Sequence, residues 1–172
     1  DYEVMAGAEV YRREGCDAIV AVGGGSPMDC AKAIGIVCAN DRHVLDFEGV
    51  DNVERPGPPL ICVPTTAGTG AEVTRNAVLE SSVHRVKVSM RSHFMLPRLA
   101  VVDPELTYSM PPGLTAATGH DALTQLLEAF VSRAANPLTD ALCREGLARA
   151  ARALPRAFAD GADHAAREDM CL

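Results

Sequence analysis

Asp121 and Gln125 are four residues apart in a segment, residues 111–130, whose apolar spacing is typical of a helix. Residues at this spacing lie on one face of a helix, so a carboxylate and an imidazole placed there could bind one divalent cation. Position 125 carries glutamine, and a neutral amide oxygen is a much poorer ligand for iron or zinc than imidazole. The pair therefore indicates a weakened metal site. In the alternative interpretation, Asp121 forms a local hydrogen bond and Gln125 lies in a polar cleft.

The five histidines offer no good replacement ligand. His120 precedes Asp121 in the sequence, but its side chain points about 100° around the helix from that of Asp121. The other four are isolated among loop or polar residues without HxxxH or HxxE spacing, and we expect them at the surface: His43, His84, His93 and His164.

Three consecutive glycines follow a short apolar run, residues 17–22, that is typical of a strand buried on both faces. Residues 23–26 (GGGS) then lead into strong helix formers, with Ser26 as the expected N-cap and Pro27 in the first turn. Glycines let the backbone approach a ligand, and a helix start presents free N–H groups and a positive dipole. The pattern predicts a pyrophosphate site, where Ser26 adds a hydroxyl and Asp29 fixes the loop or a nicotinamide amide. A tight turn without a ligand is the alternative.

A second loop, residues 65–70 (TTAGTG), directly follows another buried apolar run at residues 60–63. Open α/β sheets bind ligands at the carboxyl ends of their strands, so we expect both loops at the same sheet edge. The alternative is that the threonine hydroxyls only satisfy their own backbone. Lys87, on a predicted strand, could reach a ribose or a phosphate, or could be a solvated surface charge.

The elements that position these loops alternate between strands and helices and then become helical. The predicted order is a helix through about residue 14, a strand at 17–22, a helix at 28–39, a strand at 60–63, a hairpin at 77–79 and 83–90, a strand at 99–102, and helices at 114–132 and 138–158. This order predicts an α/β fold: a Rossmann-like parallel-sheet nucleotide domain at residues 1–112, followed by the start of an all-α domain at residues 113–172.

Composition excludes several classes of protein. The chain has 172 residues, 48% of them apolar, and a net charge of −7, which argues against a nucleic-acid surface. Its six cysteines form no CxxC pair and are expected to be reduced thiols, as in the cytoplasm. No apolar stretch reaches the roughly 20 residues that span a bilayer, so no membrane partner is expected.

Four ordered motifs together resemble the iron-containing (type III) alcohol dehydrogenases. They are AVGGGSPMDCAKAIG (residues 21–35), PTTAGTGAEVT (64–74), DPELTYSMPP (103–112) and TGHDALTQLLEAFVS (118–132). The resemblance spans practically the whole chain, whereas the family is about twice as long. We therefore expect a central fragment that is inactive by itself.

The resemblance implies a set of cofactor-binding residues. The NAD(P) pyrophosphate would contact Gly24, Gly25 and Ser26, and the phosphate and nicotinamide region would be lined by Thr65, Thr66 and Thr69. Lys87 would contact a ribose, and the cofactor cleft would be walled by Thr107, Met110 and Leu114. The family uses one Asp and three His as metal ligands: Asp121 matches the Asp, and Gln125 stands where the first His belongs.

The implied reaction is hydride transfer between a small alcohol or aldehyde and NAD or NADP, with Fe²⁺ or Zn²⁺ as the Lewis acid. Self-association into a homo-oligomer is left open. One alternative is a related reductase branch, similar to maleylacetate reductases, that works without the usual metal ligands and would explain Gln125 directly. Another is a non-catalytic nucleotide-binding module. Glycerol dehydrogenases and dehydroquinate synthases share the architecture but would differ in both loops.

Overall fold

The computed structural model describes residues 1–172 and contains five α-helices and six β-strands. In chain order these are α1 (Tyr2–Arg13), β1 (Ile19–Gly23), α2 (Gly25–Asn40), β2 (Gly49–Val50), β3 (Leu60–Pro64), β4 (Asn76–Ser81), β5 (Val86–Arg91), β6 (Leu99–Ala100), α3 (Pro112–Phe130), α4 (Pro137–Ala159) and α5 (His164–Cys171). The chain forms two compact units, one of residues 1–64 with 71–101 and one of residues 65–70 with 102–172. The predicted boundary after residue 112 stays a prediction.

A three-stranded parallel sheet in the order β1-β3-β6 forms the centre of the first unit. Parallel strands need crossover connections, and α2 lies in the crossover between β1 and β3. The register pairs Ile19 with Leu60 and Gly23 with Pro64, so both strands end at the same edge of the sheet. This sheet confirms the predicted α/β fold.

The start of α2 differs from the prediction. Helix α2 begins at Gly25 with Gly24 as its N-cap, so the expected N-cap at Ser26 is wrong. Gly24 has an extended backbone, which allows the helix to begin before Ser26 is reached. Gly23 has a φ of +150°, and a Cβ atom there would lie 2.8 Å from the Cγ atom of Pro27. The turn between β1 and α2 therefore requires glycine at position 23.

A second small sheet in the first unit confirms the predicted hairpin. Strands β4 and β5 are antiparallel, with Glu80 opposite Lys87, and β2 pairs in parallel with β5. Helices α1 and α2 pack with these strands around a core of buried apolar side chains: Val4, Ala8, Ile36, Val37, Phe47, Ala77 and Met90. This core holds strand β4 against α2.

The second unit is helical, as the apolar spacing after residue 114 predicts. Helices α3 and α4 pack closely because glycines face leucines: a Cβ atom at Gly119 would lie 2.3 Å from a methyl carbon of Leu154. Asn136 caps α4, where it accepts bonds from the first-turn N–H groups in a capping box. None of the five helices has the length and apolar content needed to cross a membrane.

Candidate functional site

The loop between β1 and α2 presents polar groups at a helix start. The first-turn N–H groups of Gly25 and Ser26 have no partner within the helix, and Pro27 carries no N–H. The Ser26 side chain is exposed, and its hydroxyl makes no hydrogen bond. Free donors at the positive end of a 16-residue helix can bind an anionic group. Gly24, Gly25 and Ser26 therefore lie at the start of α2, and their contact with a pyrophosphate stays a prediction.

Asp29 lies on α2 but faces β4. One of its carboxylate oxygens accepts a bond from the backbone N–H of Val78 at 3.0 Å, and the other accepts from Lys32 Nζ at 3.5 Å. Burial raises the pKa of Asp29, while the Val78 N–H and the Lys32 ammonium oppose this shift. These contacts join α2 to β4, and the two roles expected for Asp29, fixing the loop or a nicotinamide amide, stay predictions.

Lys32 is a functional candidate that the sequence analysis missed. Its ammonium is fully buried and donates to the Asn76 carbonyl at 2.9 Å and to the Thr74 hydroxyl at 3.2 Å, besides Asp29. Burial lowers the pKa of Lys32, and the Asp29 carboxylate opposes this shift. One signal was available in the sequence: a single lysine in an otherwise small and apolar helix, three residues after an aspartate.

The threonine loop, residues 65–70, packs on α3 within the second unit. Gln125 Nε2 donates to the carbonyl oxygens of Gly68 at 3.2 Å and of Thr69 at 3.3 Å. Gly68 has a φ of +137°, and a Cβ atom there would lie 1.9 Å from the carbonyl oxygen of Thr118. The Thr66 hydroxyl oxygen is buried and has no hydrogen-bond partner within the chain. A buried hydroxyl without a partner is rare and can donate to a ligand.

The segment before α3 and the first turn of α3 hold the residues expected to wall the cofactor cleft. Thr107 is buried, and its hydroxyl donates to the Pro104 carbonyl at 2.7 Å, while Leu114 is partly exposed on the first turn of α3. Met110 is buried, and its carbonyl accepts from Arg167 at 3.0 Å.

Arg167 is a second residue that the sequence analysis missed. Its guanidinium also donates to the Thr115 hydroxyl at 2.8 Å, although the residue is 2% exposed and has no carboxylate partner. Two of its partners, Thr115 and Met110, lie more than 50 residues away in the chain, and no local pattern signals them. The third, the Gly161 carbonyl, accepts at 3.3 Å from six residues away.

Lys87 lies on β5, as predicted, and is exposed. Its ammonium makes no hydrogen bond or ion pair and can therefore contact a ligand or solvent. No contact in the structure assigns it to either role.

The residues of this chain do not by themselves form an iron or zinc site. The Asp121 carboxylate is exposed and makes no hydrogen bond, whereas the amide nitrogen of Gln125 is bound to the loop. The neighbouring His120 uses Nδ1 to contact the Ala116 carbonyl at 2.7 Å. No group of three or more His, Cys, Asp or Glu side chains in the chain could hold a metal ion, and such sites need at least three protein ligands.

Family models match both parts of the chain. A model described as "Iron-containing alcohol dehydrogenase" matches residues 1–104, and one described as "Fe-containing alcohol dehydrogenase family, C-terminal" matches residues 115–172. Together the two matches cover the loop at residues 23–26, the threonine loop at residues 65–70, and Asp121 and Gln125 on α3.

Individual relatives are similar over nearly the whole chain. The NAD-dependent methanol dehydrogenase of Bacillus methanolicus is 45% identical over 170 residues, which are 99% of this chain and 45% of the relative. A crystal structure of 1,3-propanediol oxidoreductase is 45% identical with a TM-score of 0.94, over 98% of this chain and 44% of the other. A sulfoacetaldehyde reductase from Bifidobacterium kashiwanohense, solved in complex with NAD⁺, is 41% identical with a TM-score of 0.89. The match covers 98% of this chain and 45% of the reductase. The chain thus spans less than half the length of the relatives it matches.

Proposed function

Because the chain belongs to the iron-containing alcohol dehydrogenase family, we propose that it is part of an oxidoreductase that transfers a hydride between an alcohol, or its aldehyde, and a nicotinamide dinucleotide. The family matches confirm the resemblance of the four motifs. The observation that carries the proposal is the parallel register of Gly23 with Pro64, because the glycine and threonine loops both begin at that sheet edge. We propose NAD as the cofactor, since the similar methanol dehydrogenase is NAD-dependent.

In this proposal the chain binds and orients the dinucleotide. The free N–H groups of Gly25 and Ser26, with the Ser26 hydroxyl, hold the diphosphate at the start of α2. The unpartnered Thr66 hydroxyl donates to a polar group of the cofactor. Met110 and Leu114 provide apolar walls that exclude water, and Lys87 contacts a ribose. The nicotinamide, when bound, supplies the hydride chemistry.

The bonds of Gln125 favour a second candidate, a reductase similar to maleylacetate reductases that works without the usual metal ligands. In this candidate Gln125 holds the threonine loop, and no step depends on a metal bound at position 125. Metal content discriminates the two candidates. The full-length protein, purified without chelators, would contain stoichiometric iron or zinc in the first candidate and substoichiometric metal with retained NADH binding in the second. A Gln125→His variant is expected to raise the metal content if the position faces an ion.

The test of the proposed reaction is an assay of the full-length protein with NAD⁺ and short primary alcohols, followed by NADH absorbance. Alcohol-dependent NADH formation supports the proposal. The proposal is contradicted if no NADH forms from alcohols and NAD⁺ and no NADH is consumed with aldehydes. We expect no turnover from residues 1–172 alone, since relatives with this activity are more than twice as long.

A further inference from the structure

The buried ammonium of Lys32 joins α2 to the start of β4 behind the proposed diphosphate loop. We propose that Lys32 is a positioning residue for the dinucleotide: it pairs with the Asp29 carboxylate and fixes the first turns of α2 on β4, which orients the Gly24–Ser26 loop toward the diphosphate. This inference rests on the proposed dinucleotide-binding function. It assigns no contact between Lys32 and the cofactor itself.

Two sets of bonds join α2 to β4 at this end. The Asp29 carboxylate accepts from the Val78 N–H, and Lys32 donates to the Asn76 carbonyl, so both side chains contact alternate residues of the same strand. Residues three apart share a helix face, which lets Asp29 and Lys32 act together. Asp29 is four residues after Gly25, or about 6 Å along the helix at about 1.5 Å per residue. A tilt of the helical turn that carries Asp29 therefore moves the N–H donors of the Gly24–Ser26 loop directly.

The charges of Lys32 and Asp29 depend on each other. The Lys32 side chain is 0% exposed and the Asp29 side chain is 15% exposed, so removing one partner leaves the other as an uncompensated charge in a poorly solvated place. The other titratable groups facing Lys32 are Cys62 on β3 and Glu72 in the turn that follows the threonine loop. The Cys62 thiol is buried, which raises its pKa, and it provides no anion to replace Asp29.

Loss of Lys32 alone therefore has a pH-dependent consequence. Without the ammonium, Asp29 is tolerated at its site when it is protonated and is expelled toward solvent when it ionises. The bond to Val78 is then lost, and α2 is released from β4. In the Lys32→Met variant, NADH binding should weaken as the pH rises through the pKa of Asp29. Removing both charges in Lys32→Met with Asp29→Asn leaves a neutral amide that still accepts from Val78, so most of the affinity should return.

The experiment measures the dissociation constant of NADH by fluorescence titration of the full-length protein from about pH 4, near the ordinary pKa of an aspartate, to about pH 8.5. We expect Lys32→Met to weaken binding about tenfold more at the highest pH than at the lowest, and the double variant to restore it to within about threefold at every pH. Arg13→Met, which removes an exposed cation from α1, is the matched control and should bind like the unaltered protein. A role limited to stability would lower the melting temperature of both lysine variants without this pH dependence or rescue.

Three outcomes overturn the inference. The first is unchanged affinity of Lys32→Met at all pH values. The second is equal and pH-independent weakening in the single and double variants. If Lys32→Met does not fold, the double variant decides alone, and a folded double variant with strongly weakened NADH binding contradicts the inference. Failure of the unaltered protein to bind NADH contradicts the proposed function, and the inference falls with it.

Discussion

The side-chain nitrogen of Gln125 lies 3.2 Å from the carbonyl oxygen of Gly68 and donates a hydrogen bond to it. The same nitrogen donates to the carbonyl of Thr69, so one side chain of α3 holds two consecutive residues of the threonine loop. Asp121, one helical turn earlier, makes no such bond. The Gln125 side chain therefore stabilises the loop backbone. A side chain that bound a metal ion at this position would not donate the same two hydrogen bonds.

Removing the Gln125 side chain should loosen the threonine loop. Gln125→Ala loses both hydrogen bonds, and because the residue is exposed we expect a loss of about 1 kcal/mol in the free energy of unfolding, together with weaker NADH binding. Urea unfolding and NADH titration of the full-length protein measure the two effects. Glu128→Ala, an exposed side chain on the same helix that makes no hydrogen bond, is the control. Identical results for the two variants would show that the bonds to Gly68 and Thr69 contribute nothing.

The backbone of Gly68 tolerates no side chain. In Gly68→Ala, the new methyl group would meet the Thr118 carbonyl at 1.9 Å while φ is +137°, so we expect a destabilisation of at least about 2 kcal/mol. Gly113→Ala is the matched control because a Cβ atom there meets nothing within 4 Å and lies in the first turn of α3. It should be neutral or stabilise by about 0.5 kcal/mol. Comparable urea midpoints for both variants would contradict the close packing of this loop on α3.

Arg167 should be irreplaceable by lysine. Its planar guanidinium donates to the Met110 carbonyl and the Thr115 hydroxyl at once, a geometry that a single ammonium does not reproduce. We expect both Arg167→Lys and Arg167→Met to lower the free energy of unfolding, the latter by about 3 kcal/mol. Arg152→Met, at an exposed position of α4, should change it by less than about 0.5 kcal/mol. A fully stable lysine variant would show that the fork geometry is not required.

Asp29 should make stability depend on pH. Burial raises its pKa above the ordinary value of 3.8, so the folded state binds the proton more tightly than the unfolded state. The stabilisation from this proton is complete below pH 3.8 and is lost as the pH rises through the raised pKa. In Asp29→Asn this loss cannot occur. The free energy of unfolding of the variant, relative to the unaltered protein, should therefore increase from pH 3.5 upward across that window, and a constant difference would contradict the shift.

The sequence was sufficient for features that depend on local patterns. Apolar runs at residues 17–22 and 60–63 predicted β1 and β3, and the glycines after the first run predicted the loop at the start of α2. The predicted N-cap at Ser26 was wrong because Gly24, which has no side chain, supplies the extended N-cap conformation two residues earlier. Local rules favour serine there, and only the packed turn reveals the difference.

Long-range contacts could not be predicted from the sequence. Lys32 bonds to residues 42 and 44 positions away, and Gln125 bonds to a carbonyl 57 positions away. Such pairs depend on how helices dock on strands and loops, which periodicity does not encode. That Gln125 is a poor metal ligand stays a prediction, whereas its hydrogen bonds to Gly68 and Thr69 were visible only in the structure.

Titration of the full-length protein with NADH tests the central claim most directly, because it asks whether the loops after β1 and β3 bind a dinucleotide diphosphate. We expect saturable enhancement of NADH fluorescence and a higher melting temperature. Both should be strongly reduced when Gly25 is replaced by valine, whose side chain would block the backbone from the diphosphate. No saturable binding of NADH or NADPH, or equal binding by the Gly25→Val variant, would contradict that claim.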